Sequence, residues 1–573
     1  MASIIDTLNQ AVRASLSRRL SGNVDLEGVG VVPATHRRYG DYQCNACMVL
    51  AKSLGEDDPR RLARLVAEEL QGSPFLERVE IAGPGFINVW VKRSWLARGL
   101  AELYKDDRLG VERPGSGRRV VIDYSSPNVA KPMHIGHLRS TILGNALDRI
   151  HRFLGYEVIS DNHIGDWGTQ FGILLVGFER FADREAFSRD AIEELERVYV
   201  TCYQKAKEDP ALMEEARRAL VRLQQGDPQC RALWSTFVTA SIAEFEKLYG
   251  RLGVSFDHTL GESFYNDRLA GLVEDLRARG LARESDGATV VFLDEEGLPP
   301  CIVRKSDGGF NYATTDIATL LYRSEQWGPE KIIYVTDERQ QLHFRQVFAI
   351  ARRLGVTAEL EHVWFGLMRL PEGTFSTREG NVIRLERLLD EAERKAYEVA
   401  SELNPGLDEE THREIARKVG IGAVKYADLS QNRQSVVTFT WEKALSLEGN
   451  TAPYLQYTYA RIRSVLRKYH EEMGGADLSG TEVVVAEEEE GDIAKRALEF
   501  PHVVARSART YRPNILTDYL FDLASIYNRF YQNIPFLKAA PGIRESRLVM
   551  CELVGRIIKR GLDVLGIEIP ERM

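Results

Sequence analysis

Cysteine is scarce in this chain: six residues in 573. That is too few for a disulfide framework. The spacing Cys44-Asn45-Ala46-Cys47 has no second pair at zinc-ligand distance, so it predicts a reduced, helical, structural pair. A reducing compartment, the cytoplasm, is the expected location. Long apolar runs are missing as well. None approaches the ~18 residues needed to span a bilayer. The opening stretch MASIIDTLNQAVRASLSRRL has no continuous hydrophobic segment, so it reads as an amphipathic helix rather than a leader. An excess of positive charge is lacking too. Lys and Arg number 75 against 84 Asp and Glu, a net charge of −9. This excludes indiscriminate nucleic-acid binding through bulk charge but leaves local basic patches open. No internal repeat is present. The remainder is ordinary for a globular protein, 44% hydrophobic and 28% charged, and long enough for two to four domains.

The most informative stretch is Val120–Arg139, VVIDYSSPNVAKPMHIGHLR. A β-branched run stops at Ser-Ser-Pro-Asn. His134 and His137 follow, with Gly136 between them, and an apolar-periodic segment begins at once (Leu138, Ile142, Ala146, Ile150, Phe153). The pattern is strand, tight loop, helix, with both histidines at the helix N-terminus. Free N–H groups and the helix dipole suit a phosphate there. Residues three apart share a helix face, so both imidazoles can meet one ligand. A histidine pair that merely caps a helix gives the same local pattern.

Three units are expected. Residues 1–112 hold helical patterns at Ile4–Leu20 and Arg60–Leu70 and a strand at Gly85–Val91, and end in the Gly- and Pro-rich linker GVERPGSG. Residues 113–395 alternate apolar strands (Val120–Asp123, Tyr156–Ser160, Ile332–Thr336, His362–Met368) with helices, the rhythm of a parallel α/β sheet. An insertion at about 180–300 is helical, then hairpin-like. Residues 396–573 read as a helical bundle. Within them the acidic run Glu487–Glu490 reads as a solvated loop. Basic and aromatic side chains interleave around Tyr454, Tyr457 and Arg461, a composition suited to unpaired bases and phosphates.

His134-Ile135-Gly136-His137 resembles the HIGH signature of class I aminoacyl-tRNA synthetases, and the wider string SSPNVAKPMHIGHLRST resembles the arginyl members in particular. Nucleotidylyltransferases share the bare HxGH and are the alternative enzyme class. An inactive paralogue that senses arginine or tRNA is the non-enzymatic one. The resemblance covers nearly the whole chain. It implies a multidomain α/β fold: a Rossmann-like parallel-sheet catalytic domain, an α+β N-terminal domain contacting the tRNA D-loop, and an all-α anticodon-binding bundle. It implies arginine–tRNA ligation, with ATP as substrate, Mg²⁺ accompanying the nucleotide, tRNA(Arg) and L-arginine as partners, and a monomer. It further implies activation coupled to bound tRNA.

By that resemblance His134, Gly136, His137, Gly366, Met368 and Ser376 attend ATP. The second class I signature, KMSKS, corresponds to Thr374–Arg378, where threonines replace both lysines. Lys131, just before the HIGH motif, matches the position that supplies the missing cation. The string Asn311–Asp316 (NYATTD) resembles the arginine-binding element. Tyr312 and Asp316 lie four apart, on one helix face. Spacing alone equally fits a first-turn acid favoured by the helix dipole. Gln340, Ser126, Asn128 and Asp123 match further arginine contacts. Phe86 and Asn88 match the D-loop contact, and Met573 the residue packed near the anticodon.

Overall fold

The computed structural model describes residues 4–19, 30–54, 58–370, 373–374, 384–475 and 477–573. At its centre four parallel strands lie in the order Glu359–His362, Lys331–Tyr334, Arg119–Asp123, Glu157–Asp161. The inner strands are β-branched and buried at Val120, Val121, Ile122, Ile332 and Ile333, because helices cover both faces. Arg119–Asp123 comes first in the chain yet lies inside the sheet. Later strands are added on either side of it, which opens a crevice beyond its carboxyl end. The helix Ile135–Phe153 leaves from that crevice.

The strand expected at Ile332–Thr336 runs Lys331–Tyr334, and two further strand expectations need correction. Tyr156–Ser160 is shifted by one residue, to Glu157–Asp161. His362–Met368 is not one strand. A strand Glu359–His362 and a short one, Met368–Leu370, flank a stretch that meets the sheet through the Val363 N–H, which donates to the Tyr334 carbonyl at 2.8 Å, and the bridge Asp337↔Phe365. Val363 and Phe365 are buried in the core, and an apolar run does not distinguish a strand from a buried connection.

The N-terminal region has a four-stranded antiparallel sheet, ordered Val31–Pro33, Tyr42–Cys44, Phe86–Val91, Leu76–Ala82. Cys44 ends a strand and only Cys47 is helical, which corrects the expected helical pair. Both thiols are free and buried, and burial pushes Cys47 up to about 12. The insertion comprises helices Ala191–Glu208, Pro210–Gln224 and Pro228–Leu252, each capped by an aspartate (Asp190, Asp209, Asp227) whose carboxylate takes a first-turn N–H. A three-stranded antiparallel sheet, Ala282–Ser285, Ala288–Leu293 and Leu298–Arg304, follows.

The C-terminal region is helical, including Glu409–Leu429, Ala452–Met473, Asn514–Asn533 and Ile543–Val564. The run Glu487–Glu490 is not a loop; it starts the helix Glu488–Ala497. Glu490 is buried, accepts the N–H groups of Ala486 and Glu487, and pairs with Arg547 at 2.7 Å. The three expected units do not keep separate cores. One apolar cluster runs from Ile4 and Leu8 through Leu138 and Ile142 to Leu553 and Ile557.

Candidate active site

The loop after Arg119–Asp123 is strained. Ser125, Ser126 and Ala130 adopt φ of 76°, 49° and 61°, a region costing about 1–3 kcal/mol for each non-glycine residue. Distant groups hold it. The Ser125 N–H donates to Ser140 Oγ (2.9 Å), that of Ser126 to Asn162 Oδ1 (3.0 Å) and that of Ala130 to Ser241 Oγ (2.9 Å). Beneath it Arg323, fully buried, pairs with Asp123 and Asp161 at 2.7 Å each, and Asp123 also accepts the Ser126 hydroxyl at 2.9 Å. Asp123 is 4% exposed and does not line the cleft. Its expected place among the arginine contacts is therefore corrected: its carboxylate fixes the strand end and Ser126.

The histidines cap their own helix. His134 Nδ1 accepts the Gly136 N–H (3.0 Å), and His137 Nδ1 accepts the His134 N–H (3.2 Å). The helix end is thus not an open cradle of amides, as expected from sequence; two of its donors are taken. Burial, then the charge of Lys131 and of Arg339, pushes His134 down to about 4. Burial, then His134 and Lys131, pushes His137 down to about 3. Both rings are neutral at pH 7. With Nδ1 accepting, each carries its proton on Nε2. The rings lie 3.9 Å apart between centroids, so two Nε2–H donors stand side by side. A Cβ on residue 136 would lie 2.8 Å from the His134 ring, which is why glycine sits there.

A cleft of ≈ 410 Å³ gathers Ser126, Asn128, His134, Gly136, His137, Gln340, Gly366 and Met368. Ser376 lies outside the described residues. Asn128 is seated by Gly165, whose missing Cβ would fall 2.2 Å from Asn128 Oδ1. Two cations of the cleft wall carried no signal in the sequence. Arg339 is paired to Asp337 at 2.6 Å and adds a cation beside His134. Arg139 is buried, pairs with Asp428 at 2.8 Å and donates to the Gly366 carbonyl at 2.5 Å, tying the signature helix to the opposite wall. Lys131 does not line the cleft; its Nζ stands 5.3 Å over the Tyr199 ring.

Beyond Gln340 the character changes to acidic. Asp316 Oδ2 lies 2.5 Å from His343 Nε2, and Oδ1 lies 3.9 Å from His163 Nε2. Glu262, from the insertion, is pushed up to about 8 by burial first, then by Asp316 and Asp166. Among the described residues no Lys or Arg pairs with Asp316 or Glu262. Asp166 is raised by burial, against hydrogen bonds from Ser263. Tyr312 is 67% exposed at the first position of the helix Tyr312–Trp327. Glu262 carried no local sequence signal; only the fold brings it to Asp316.

The expected RNA contacts divide. Tyr457, Arg461 and Met573 line one cavity of ≈ 660 Å³ with Arg467, Lys468 and Tyr531. Arg461 lies 4.9 Å over the Tyr457 ring and 5.3 Å over that of Tyr531. Tyr454 does not reach this cavity. Its half-buried ring packs on Phe521 and its hydroxyl accepts from Asn528 at 2.9 Å, so it is tied to the helix Asn514–Asn533. Asn88 is 3% exposed and accepts from Gln43 at 2.8 Å. It supports the partly exposed Gln43 instead of presenting its own amide. Phe86 opens its strand, half-buried.

Residues 100–441 match the family model described as tRNA synthetases class I (R), catalytic domain. Residues 6–91 match the arginyl tRNA synthetase N-terminal domain and residues 455–573 the DALR anticodon binding domain. The arginine–tRNA ligase of Fusobacterium nucleatum is 47% identical over 96% of both chains, and that of Azotobacter vinelandii 44% over 99% of this chain and 100% of its own. The crystal structure of arginyl-tRNA synthetase from Plasmodium falciparum superposes with a TM-score of 0.84 at 25% identity, and that from Thermus thermophilus with 0.81 at 26%, each over the full length of both chains.

Proposed function

Because the chain belongs to the arginyl-tRNA synthetases, we propose a division of labour among these residues for its reaction, which joins arginine to tRNA at the expense of ATP. The arginine carboxylate is ionised at neutral pH and needs no general base. It attacks the α-phosphorus, forms arginyl-adenylate and expels pyrophosphate. A terminal ribose hydroxyl of tRNA then attacks the activated carbonyl and releases AMP. The protein's work is therefore to position the reactants and neutralise phosphate charge. His134 and His137 donate Nε2–H to the phosphates. Lys131 and Arg339 supply the cations that the threonines at 374 and 377 cannot. Gly366 and Met368 border the adenine. Mg²⁺ accompanies the nucleotide, neutralising phosphate charge.

Asp316 and Glu262 receive the guanidinium, with Tyr312 at the mouth and Gln340, Asn128 and Ser126 toward the amino-acid end. Tyr457, Arg461 and Met573 meet the anticodon, and Phe86 with Gln43 the D-loop. We place the enzyme in the cytoplasm as a monomer. Among the described residues no helix is long and apolar enough to cross a membrane.

One observation carries this assignment. Two carboxylates without a cation adjoin a cleft whose other wall presents two neutral imidazole donors. Burial and its acidic neighbours hold Glu262 protonated, so a guanidinium can displace that proton and pair with both acids, while a neutral side chain cannot. Arginine-dependent ATP–pyrophosphate exchange, with and without tRNA(Arg), tests it. Exchange that needs both arginine and tRNA is expected. Exchange supported equally by lysine or citrulline overturns the pocket assignment.

A further inference from the structure

The insertion helix Ala191–Glu208 packs beside the loop that leads into the signature helix. Its Glu193, Glu196, Tyr199 and Tyr203 recur at three- and four-residue steps and so share one face. Arg384, at the N-terminal end of the helix Leu385–Leu403, pairs with Glu196 at 3.0 Å and with Glu193 at 3.8 Å. The Arg384 backbone bridges to His134, and the Leu385 N–H donates to the Met133 carbonyl at 2.9 Å. One helical turn further on, the Tyr199 ring receives the Lys131 ammonium at 5.3 Å and stacks on Tyr203 at 5.9 Å, the two rings nearly parallel. A second insertion helix, Pro228–Leu252, holds the same loop from behind. Its buried Ser241 accepts the N–H of Ala130, whose φ is 61°. Val129 and Ala130 are packed inside the insertion's own apolar core, with Leu195, Cys202 and Phe237.

We propose that Tyr199 is a positioning residue for activation: its ring holds Lys131 beside the histidines while Glu196 fixes Arg384, so the insertion sets the cation on which phosphate neutralisation depends. The inference rests on the assignment of Lys131 above. The chemistry of the two grips differs in a way that fits their tasks. Arg384 is held by carboxylates, full charges that keep it. Lys131 is held by a π face, which orients an ammonium without neutralising it. The ring leaves the ammonium's charge available to the phosphates while it stays seated, whereas a carboxylate would cancel that charge. Lys131 meanwhile stays close enough to depress both histidines, after burial in each case.

The test is a mutant cycle in the full-length chain, read by tRNA-supported pyrophosphate exchange and by arginine binding in calorimetry. Tyr199→Met keeps apolar bulk and removes the π face. It should lower the exchange kcat about tenfold, the scale of a partly desolvated cation–π contact, with arginine affinity unchanged. Tyr199→Phe should retain wild-type exchange. In a Lys131→Ala background Tyr199→Met should cost nothing further. An equal loss in both backgrounds, or a Phe variant as poor as Met, overturns the inference and leaves Lys131 in its role. Near-normal turnover of Lys131→Ala alone overturns the assignment of Lys131 and the inference with it. If melting shows the Met variant misfolded, Tyr199→Leu takes its place in the cycle with the same outcomes.

Discussion

Two acidic regions of this molecule invite comparison: the start of the C-terminal helix Glu488–Ala497 and the pocket around Asp316. In the first, Glu490 is 1% exposed but fully answered by Arg547 and two backbone N–H groups. In the second, Asp316 and Glu262 face each other with imidazoles nearby and no Lys or Arg paired to either among the described residues. Arg323 with Asp123 and Asp161, and Arg139 with Asp428, follow the first pattern. The difference teaches where to look for a cationic ligand. A buried acid that has its cation is part of the fold. One that lacks it takes up a proton, as Glu262 does, until a cationic ligand displaces that proton and completes the pair.

The largest break in that comparison should come from Asp316→Ala. Removing one partner of a desolvated charge pair costs about 2–5 kcal/mol of binding. Arginine affinity measured by calorimetry should fall accordingly, with the melting temperature unchanged or raised. Unchanged affinity would remove Asp316 from the pocket. Glu490→Ala should do the reverse. It strands Arg547 and should cost about 3 kcal/mol of folding stability, seen as a lower melting temperature, while arginine binding in the folded fraction stays normal.

The smallest and most discriminating effect is in pH. Glu262 is protonated below about 8 in the empty pocket, through burial first and the neighbouring acids second. The arginine cation prefers its ionised form, so binding should release a proton and tighten as pH rises from 6 to 8, by at most about tenfold per unit. Glu262→Gln should flatten that slope. The same slope in the variant would assign the titration elsewhere. Across this range the histidines should contribute nothing, since both are neutral above about 4.

Legibility in the sequence followed the locality of the chemistry. The strand, loop and helix around His134 are contiguous, and periodicity with a stop signal was enough to place them. The tautomers were not legible, because they follow from which N–H each ring caps. Asp123 looked like a substrate contact until Arg323, 200 residues away, took its carboxylate. Tyr454 and Tyr457 read alike in composition, yet one packs into the bundle and the other lines a cavity. The acidic run at 487–490 read as a solvated loop because sequence shows charge but not the Arg547 that buries it.

By itself the sequence determined the alternation of strands and helices along the chain, the helical C-terminal third, the signature histidines and the acid at 316. These rest on hydrophobic period and on short contiguous strings, which act through neighbouring residues. The tertiary structure decided the rest: that Glu262 faces Asp316, that Arg339 joins the histidines, that Asp123 belongs to the fold, and that an insertion helix carries Tyr199 to Lys131. Each depends on two segments far apart in the chain reaching hydrogen-bonding or van der Waals distance. That distance is fixed only when the shared apolar core packs.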